Sequence, residues 1–175
     1  MAATEAAAPG PLEAASTPAA AEPAERPRSS TASITHDLLS LDALVQQVSD
    51  PACGAIATFL GTTRNHFEGK GVLRLEYEAY EPMALKEMEK IAEEARNTFA
   101  PGVRHVACAH RLGVVPNGEA SVIIVVAAEH RDASFDACRF MIDTIKARVP
   151  IWKKEIYADG SSWKANKEWQ PGDVS

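Results

Sequence analysis

Residues 121–155, SVIIVVAAEHRDASFDACRFMIDTIKARVPIWKKE, decide how the rest of the chain is organised. Residues 121–128 are uncharged and rich in β-branched side chains, which is typical of a strand buried on both faces. A helix-period segment follows from 133 to 146, with Asp132 as its predicted N-cap. Its predicted buried stripe is spaced by three, four and three residues: Phe135, Cys138, Ile142 and Ile145. Pro150 ends the helix, and residues 151–157 are predicted to be extended.

Basic side chains lie at both ends of the predicted helix, and a histidine lies at its start. His130 and Arg131 follow the apolar strand, where free backbone N–H groups and the positive end of the helix dipole favour an anion. Lys146 falls in the last turn, and Lys153 and Lys154 follow the proline. Such basic density in a chain with a net charge of −6 indicates an anionic ligand.

Each of these residues also has an ordinary structural explanation. Charges after a strand commonly mark the surface, His130 can be hydrogen-bonded at a sheet edge, and Lys146 suits the C-terminal dipole of any helix. The functional alternative for Lys146 is a partly buried lysine, whose amine is activated by desolvation or by neighbouring charge. Spacing alone leaves both explanations open.

Alternation along residues 151–157 separates the two neighbouring lysines. Lys153 and Glu155 are expected on one face of the strand and Lys154 on the other. Both lysines cannot then easily point into one pocket. The predicted functional pair is therefore Lys146 with Lys153, and Lys154 is secondary.

Arg64 is a further candidate, in a polar loop at 63–71 that directly follows a predicted strand. A guanidinium suits phosphate and carboxylate, so Arg64 is either an anion clamp or a solvated loop residue. His66, nearby, is a weaker candidate.

The composition argues against several classes of function. Nonspecific nucleic-acid binding needs a basic face, which a net charge of −6 does not favour. No apolar run approaches the ~20 residues of a membrane span. Zinc-ligand spacing and the glycine-rich nucleotide fingerprints are both missing from the sequence, so no metal or cofactor site is predicted. Three cysteines in apolar settings are predicted to be reduced: Cys53, Cys108 and Cys138.

The chain divides into three predicted parts. Residues 1–33 are largely Ala, Pro, Ser and Glu, have little to bury, and are predicted to form a disordered tail. A transit peptide is the alternative, but four glutamates against two arginines favour a cytosolic protein. Residues 34–157 are predicted to be one folded domain. Residues 158–175 are an extension whose Trp163 and Trp169 are expected to pack on the domain or on a partner.

The periodicities between 34 and 157 run helix, strand, strand, helix, strand, strand, helix, strand. Ser40 is expected to cap the first helix, and Pro82 to open the second. A turn at 116–119 is expected to form a hairpin with the central apolar strand. Two β-β-α units with long helices predict an α+β fold, with helices packed on a mixed or antiparallel sheet.

Five stretches together resemble the catalytic (large) subunit of molybdopterin synthase. They are GAIATFLGTTRN (54–65), LEYEAYEPMA (75–84), HRLGVVPNGEASV (110–122), AEHRDASFDA (128–137) and IKARVPIWKKE (145–155). They occur in the family's order and span most of the predicted domain. The resemblance implies an α/β hammerhead-type fold and a sulfurtransferase of molybdenum cofactor biosynthesis.

The resemblance also implies a reaction and its partners. Sulfur passes from the C-terminal Gly-Gly thiocarboxylate of a small ubiquitin-like subunit to cyclic pyranopterin monophosphate (precursor Z), which becomes the dithiolene of molybdopterin. The large subunits are expected to form a homodimer within a heterotetramer that has one small subunit at each end.

Matching the family's motifs residue by residue puts Lys146 and Lys153 in catalytic positions. The expected substrate contacts are Arg64, His130, Arg131, Lys146, Lys153, Lys154 and Glu155. The physical interpretation agrees in kind, because a cyclic phosphate suits a His–Arg pair at a helix N-terminus with Arg64 closing from the loop.

A rival hypothesis is a non-catalytic module that binds an acidic ubiquitin-like or phosphorylated partner through the same basic cluster. It predicts salt-dependent affinity without chemistry. The complete set of lysines, histidine and arginines favours the enzyme, because a docking surface would not require all of them.

Overall fold

Three helices and two β-sheets make up the part of the chain that the structure describes. The computed structural model describes residues 26–67, 69–158 and 160–164, with residues 161–164 described by their backbone. The elements are β1 (Ser29–Thr35), α1 (Leu41–Val48), β2 (Ala55–Thr62), β3 (His66–Phe67), β4 (Lys70–Ala79), α2 (Glu81–Thr98), β5 (Val103–Arg111), β6 (Gly113–Pro116), β7 (Ala120–Ala128), α3 (Arg131–Arg148), β8 (Ile151–Tyr157) and β9 (Gly160–Lys164). Among the described residues, no helix combines the length and apolar character needed to cross a membrane.

The first sheet has the strand order β1-β5-β7-β2 and is mixed, since β1 is parallel to β5 and the other pairs are antiparallel. Helices α2 and α3 cover one face and α1 covers the other. Alternate residues of β7 therefore enter two cores, with Ile124 packed beneath α2 and α3 and Ile123 beneath α1. This double burial explains why β7 is a continuous apolar run, and the prediction of a buried strand is confirmed.

The second sheet is organised around β4. Strands β6 and β8 pair with β4 on opposite sides, both antiparallel, while β3 pairs with its start and β9 lies beyond β8. The predicted hairpin is only partly right. Strands β5 and β7 are antiparallel neighbours, but β6, the strand before the Asn117-Gly118 turn, pairs with β4 instead. The turn therefore carries the chain from the second sheet into the first.

The predicted helices are present, with two corrections at the start of α3. Its N-cap is His130 rather than Asp132, which lies in the first turn. Phe135, predicted to be buried, is 62% exposed, while Cys138, Ile142 and Ile145 are buried as predicted. The reason is that the buried stripe at the start of the helix runs through the small residues Ser134 and Ala137, which allow close approach to the sheet. The α+β prediction, with helices packed on a mixed sheet, is confirmed.

The first strand begins inside the segment that was predicted to be a tail. Residues 29–33 belong to β1, so the domain starts before residue 34. Local composition could not reveal this, because β1 is polar and is held by distant partners. Buried His105 on β5 is hydrogen-bonded to Ser29 Oγ at 2.9 Å and to Asp50 Oδ2 at 2.8 Å. Residues 1–25 and Trp169 lie outside the described residues, and of Trp163 only the backbone, paired with Lys154, is described.

Candidate active site

A cavity of about 580 Å³ opens between the C-terminal half of α3, the end of β2, the start of β7 and the second sheet. Its volume is in the range of ~300–1,000 Å³ that is usual for small-molecule sites. The side chains that carry charge or hydrogen-bonding groups into its lining are Thr62, Arg64, His66, Tyr77, His110, Ser121, Lys146, Lys153 and Glu155. Four of the seven residues predicted to bind substrate therefore line one cavity.

Lys146 reaches the cavity from the last turn of α3. Ile142 and Ile145, on the buried face of the helix, form part of the apolar wall beside it. The residue as a whole is exposed, so this chain alone does not bury Lys146. An exposed lysine that lines the cavity adds positive charge that attracts an anion.

Lys153 and Glu155 line the cavity from the same face of β8, as the strand alternation predicted. The Lys153 ammonium is 3.3 Å from Glu155 Oε1, and the Glu155 side chain is only 3% exposed. The Tyr157 hydroxyl donates a hydrogen bond to the same carboxylate. A buried carboxylate must be paired to be tolerated, so this arrangement fixes the position of the Lys153 amine.

Arg64 lies at the exposed rim, where the β2–β3 connection passes over the cavity. Its guanidinium carbon is 5.9 Å from the centre of the Phe67 ring. The preceding residue, buried Thr63, anchors the loop, because its backbone N–H bonds Glu119 O at 3.0 Å and its carbonyl accepts from Gly118 N at 2.9 Å. The turn between β6 and β7 thereby holds the arginine near the cavity mouth.

His110 and Tyr77 line the inner part of the cavity, and sequence reasoning assigned neither of them to the site. Their rings meet edge to face, with centroids 5.1 Å apart. Burial lowers the pKa of His110 to about 4, so the ring is neutral near pH 7. Burial also raises the pKa of the Tyr77 phenol, which is hydrogen-bonded to Ser121. The available signal was a histidine that directly follows the apolar run 106–109.

His130 and Arg131 lie at the opposite end of α3 from Lys146. Fifteen helical residues separate Arg131 from Lys146, or about 22 Å along the axis. His130 is exposed, and the Arg131 side chain is 81% exposed, with Nε 3.8 Å from Asp132 Oδ1. One chain therefore does not bring the His–Arg pair and the lysines to the same cavity.

Lys154 does not line the cavity, because it projects from the other face of β8. Its Cα partners in the sheet are Glu76 on β4 and Trp163 on β9. The expectation that Lys153 is the primary lysine agrees with this geometry. Among the described residues, no group of three or more His, Cys, Asp or Glu side chains is arranged to hold a metal ion.

Comparison with known proteins identifies what this arrangement is similar to. The model of the MoaE protein family matches residues 34–148. The molybdopterin synthase catalytic subunit of Homo sapiens is 56% identical over 134 residues, covering 77% of this chain and 70% of the human protein. The corresponding protein of Dictyostelium discoideum is 50% identical over 137 residues, covering 77% of this chain and 87% of that protein.

A solved structure agrees with the sequence comparisons. Molybdopterin synthase from Staphylococcus aureus superposes with a TM-score of 0.72 and 34% identity, covering 75% of this chain and 95% of that chain. The residues matched by the family model include strands β2, β5 and β7 of the first sheet, all three helices and Lys146. The chain belongs to the MoaE family.

Proposed function

We propose that this chain is the catalytic subunit of a molybdopterin synthase, which transfers sulfur to cyclic pyranopterin monophosphate. The observation that carries the proposal is one cavity lined by Arg64, Lys146 and Lys153, with buried Glu155 fixing Lys153. Three cationic side chains in an otherwise acidic protein suit a substrate and a sulfur donor that are both anions. Relatives named as catalytic subunits of molybdopterin synthase support the same reaction.

The sulfur donor in this proposal is the C-terminal thiocarboxylate of a small ubiquitin-like partner. A thin Gly-Gly tail can enter the cavity mouth past Lys146, which attracts its negative charge. The relatives are named as catalytic subunits, which supports the presence of a further chain in the enzyme. The acidic net charge of this protein makes the cationic mouth the natural point of entry for an anionic tail.

The chemistry assigned to the lysines follows from the charges that develop during transfer. The thiocarboxylate sulfur attacks an electrophilic carbon of the substrate side chain, and the C–O bond at that carbon breaks, so that its oxygen leaves and takes up a proton. Water then attacks the acyl carbon, the acyl–sulfur bond breaks, the donor leaves as a carboxylate, and the sulfur stays on the substrate as a thiolate. An ammonium at the acyl carbon stabilises the tetrahedral oxyanion, and the same kind of group can supply a proton to the leaving atom. Lys146 and Lys153 share these two tasks, with Lys153 held in place by Glu155.

The proposal extends to a homodimer, because His130 and Arg131 cannot reach the lysines of their own chain. In a homodimer, the exposed N-terminal end of α3 from one copy can approach the cavity of the other. His130 and Arg131 of that second copy would then bind the phosphate at a helix N-terminus, with Arg64 on the other side. With one small subunit at each cavity, the assembly is a heterotetramer.

The test is reconstitution from purified components. The wild-type chain, a thiocarboxylated small subunit and precursor Z should yield molybdopterin, measured as its fluorescent oxidation product. A carboxylate-only partner should yield none, and Lys146→Ala and Lys153→Ala should lose product while still binding the partner. Lys90→Ala, an exposed lysine on α2, is the matched control and should remain active. Tight partner binding without product from the wild-type chain would instead support the non-catalytic docking module.

A further inference from the structure

His110 brings into the cavity an acceptor group that differs in kind from the cationic side chains. His110 is the penultimate residue of β5, and its side chain projects to the same side of the sheet as that of Cys108, beneath α2 and α3. The residue is only 6% exposed, yet it lines the cavity. A nearly buried imidazole in a ligand-sized cavity needs an explanation, because buried polar atoms are normally paired.

The tautomer of His110 is fixed by the backbone. Its Nδ1 is 2.9 Å from the carbonyl oxygen of Arg111. A carbonyl oxygen can only accept, so Nδ1 carries the proton and donates it. In the neutral ring, Nε2 is then an acceptor with a free lone pair. No side-chain or backbone donor to Nε2 is recorded within residues 26–67, 69–158 and 160–164.

The orientation of the His110 ring is fixed as well. The ring packs edge to face on Tyr77 at an interplanar angle of 75°. Tyr77 is in turn hydrogen-bonded to Ser121 at the start of β7. A ring held between a backbone carbonyl and an anchored tyrosine cannot turn its Nε2 elsewhere without breaking these contacts, so the acceptor is preorganised for a ligand.

A neutral acceptor selects a different part of a ligand from the part that the cations select. Arg64, Lys146 and Lys153 attract phosphate or thiocarboxylate, whereas the lone pair of Nε2 repels anions and requires an N–H or O–H donor. A ligand that satisfies both must carry an anionic group and a separate donor. A pterin phosphate has this composition, with N–H groups on a flat ring that suits the aromatic edge of Tyr77.

We propose that His110 is a substrate-binding residue whose Nε2 accepts a hydrogen bond from an N–H group of the pterin ring and so sets the orientation of the ring in the cavity. This inference rests on the proposed function for the identity of the pterin. In this inference, His110 on β5 recognises the heterocycle, while Arg64 and the two lysines recognise the anionic groups.

Two substitutions of His110 form a matched pair. His110→Asn can keep the N–H donation to the Arg111 carbonyl, but it has no atom at the position of Nε2. His110→Gln can put its amide oxygen near that position and so restores an acceptor. Thermal unfolding of both variants shows whether each is folded, so that the kinetic comparison concerns the site.

The measurement is two-substrate kinetics with precursor Z and the thiocarboxylated partner, together with calorimetric binding of precursor Z alone. His110→Asn should raise the KM and Kd for precursor Z by about tenfold or more, the usual effect of losing one buried hydrogen bond. The KM for the partner should stay within about threefold. His110→Gln should recover most of the lost pterin affinity.

Three results would overturn the inference. One is a folded His110→Asn variant with unchanged affinity for precursor Z, and another is a loss that falls on the partner's KM instead. The third is a wild-type chain that does not bind precursor Z at all. A wild-type chain that binds precursor Z but makes no product would defeat the proposed function, and the comparison of binding between wild type and His110→Asn would still decide the role of His110.

Discussion

The two ends of α3 carry similar basic residues in different surroundings. At the N-terminal end, Arg131 is exposed, and its Nε lies 3.8 Å from Oδ1 of the next residue, Asp132. At the C-terminal end, Lys146 borders a cavity whose wall includes Ile142 and Lys153. The difference between the two ends shows that a basic residue forms part of a site only where other side chains pack opposite it. Within one chain that condition is met at the C-terminal end.

The largest expected effect concerns the C-terminal end. Lys146→Ala and Lys153→Ala should each lower kcat by roughly 10²–10³-fold, the usual effect of removing an oxyanion or proton-transfer group. Lys154→Ala, on the opposite face of β8, should cost at most about tenfold, as expected of a remote charge. Steady-state turnover of the three variants is the measurement. Equal losses at Lys153 and Lys154 would contradict the assignment of faces.

The next effect concerns the N-terminal end. Arg131→Ala should raise the KM for precursor Z by roughly 10–100-fold, because one charge-assisted contact to phosphate is lost. The kcat at saturating substrate should fall much less, since the proposed role of Arg131 is to bind the phosphate and not to act at the acyl carbon. Initial rates over a range of precursor Z concentrations separate the two parameters. An unchanged KM would mean that the N-terminal end of α3 serves no substrate site.

The two ends should also differ in what their apolar residues contribute to stability. Ile142→Ala, near the cavity wall, should lower the free energy of unfolding by about 2–4 kcal/mol through lost burial and a new cavity. Phe135→Ser, near the exposed end, should change the stability of the isolated chain by less than about 0.5 kcal/mol. Urea denaturation of the two variants gives both values. A large loss for Phe135→Ser would indicate that this face is already covered in the isolated chain.

The smallest expected effect is a pH dependence caused by His110 beside the cavity. Its folded pKa of about 4 is below the ordinary value of 6.5, so the unfolded state takes up a proton first as the pH falls. The resulting stabilisation is complete above pH 6.5 and is lost as the pH approaches 4, with a loss of roughly 2–3 kcal/mol by pH 4.5. Urea denaturation of wild type and His110→Asn between pH 7 and 4.5 should show a shallower slope for the variant.

Much of the part of the site that lies at the C-terminal end of α3 could be predicted from the sequence. The double burial of β7, the buried stripe of α3 from Cys138 onward and the alternation along β8 are local periodicities, and they suffice to separate Lys153 from Lys154. These features follow from the pattern of apolar residues alone.

The remaining features depend on contacts between distant segments. The exposure of Phe135 and the inclusion of Ser29 in β1 are decided by tertiary packing that no local pattern records. The place of His110 in the cavity depends on Tyr77 and on α3, which come from other parts of the chain.

The most direct test of the account mixes two variants that are each nearly inactive at low precursor Z. Lys146→Ala and Arg131→Ala chains would be dissociated, mixed in equal amounts, reassembled with thiocarboxylated partner, and assayed for molybdopterin at low precursor Z. If the two ends of α3 from different copies form one site, mixed dimers contain one intact site, and activity should return to about one quarter of the wild-type value. No activity above that of the separate variants, in samples shown to contain mixed dimers, would contradict the claim that sulfur transfer occurs where the two ends meet.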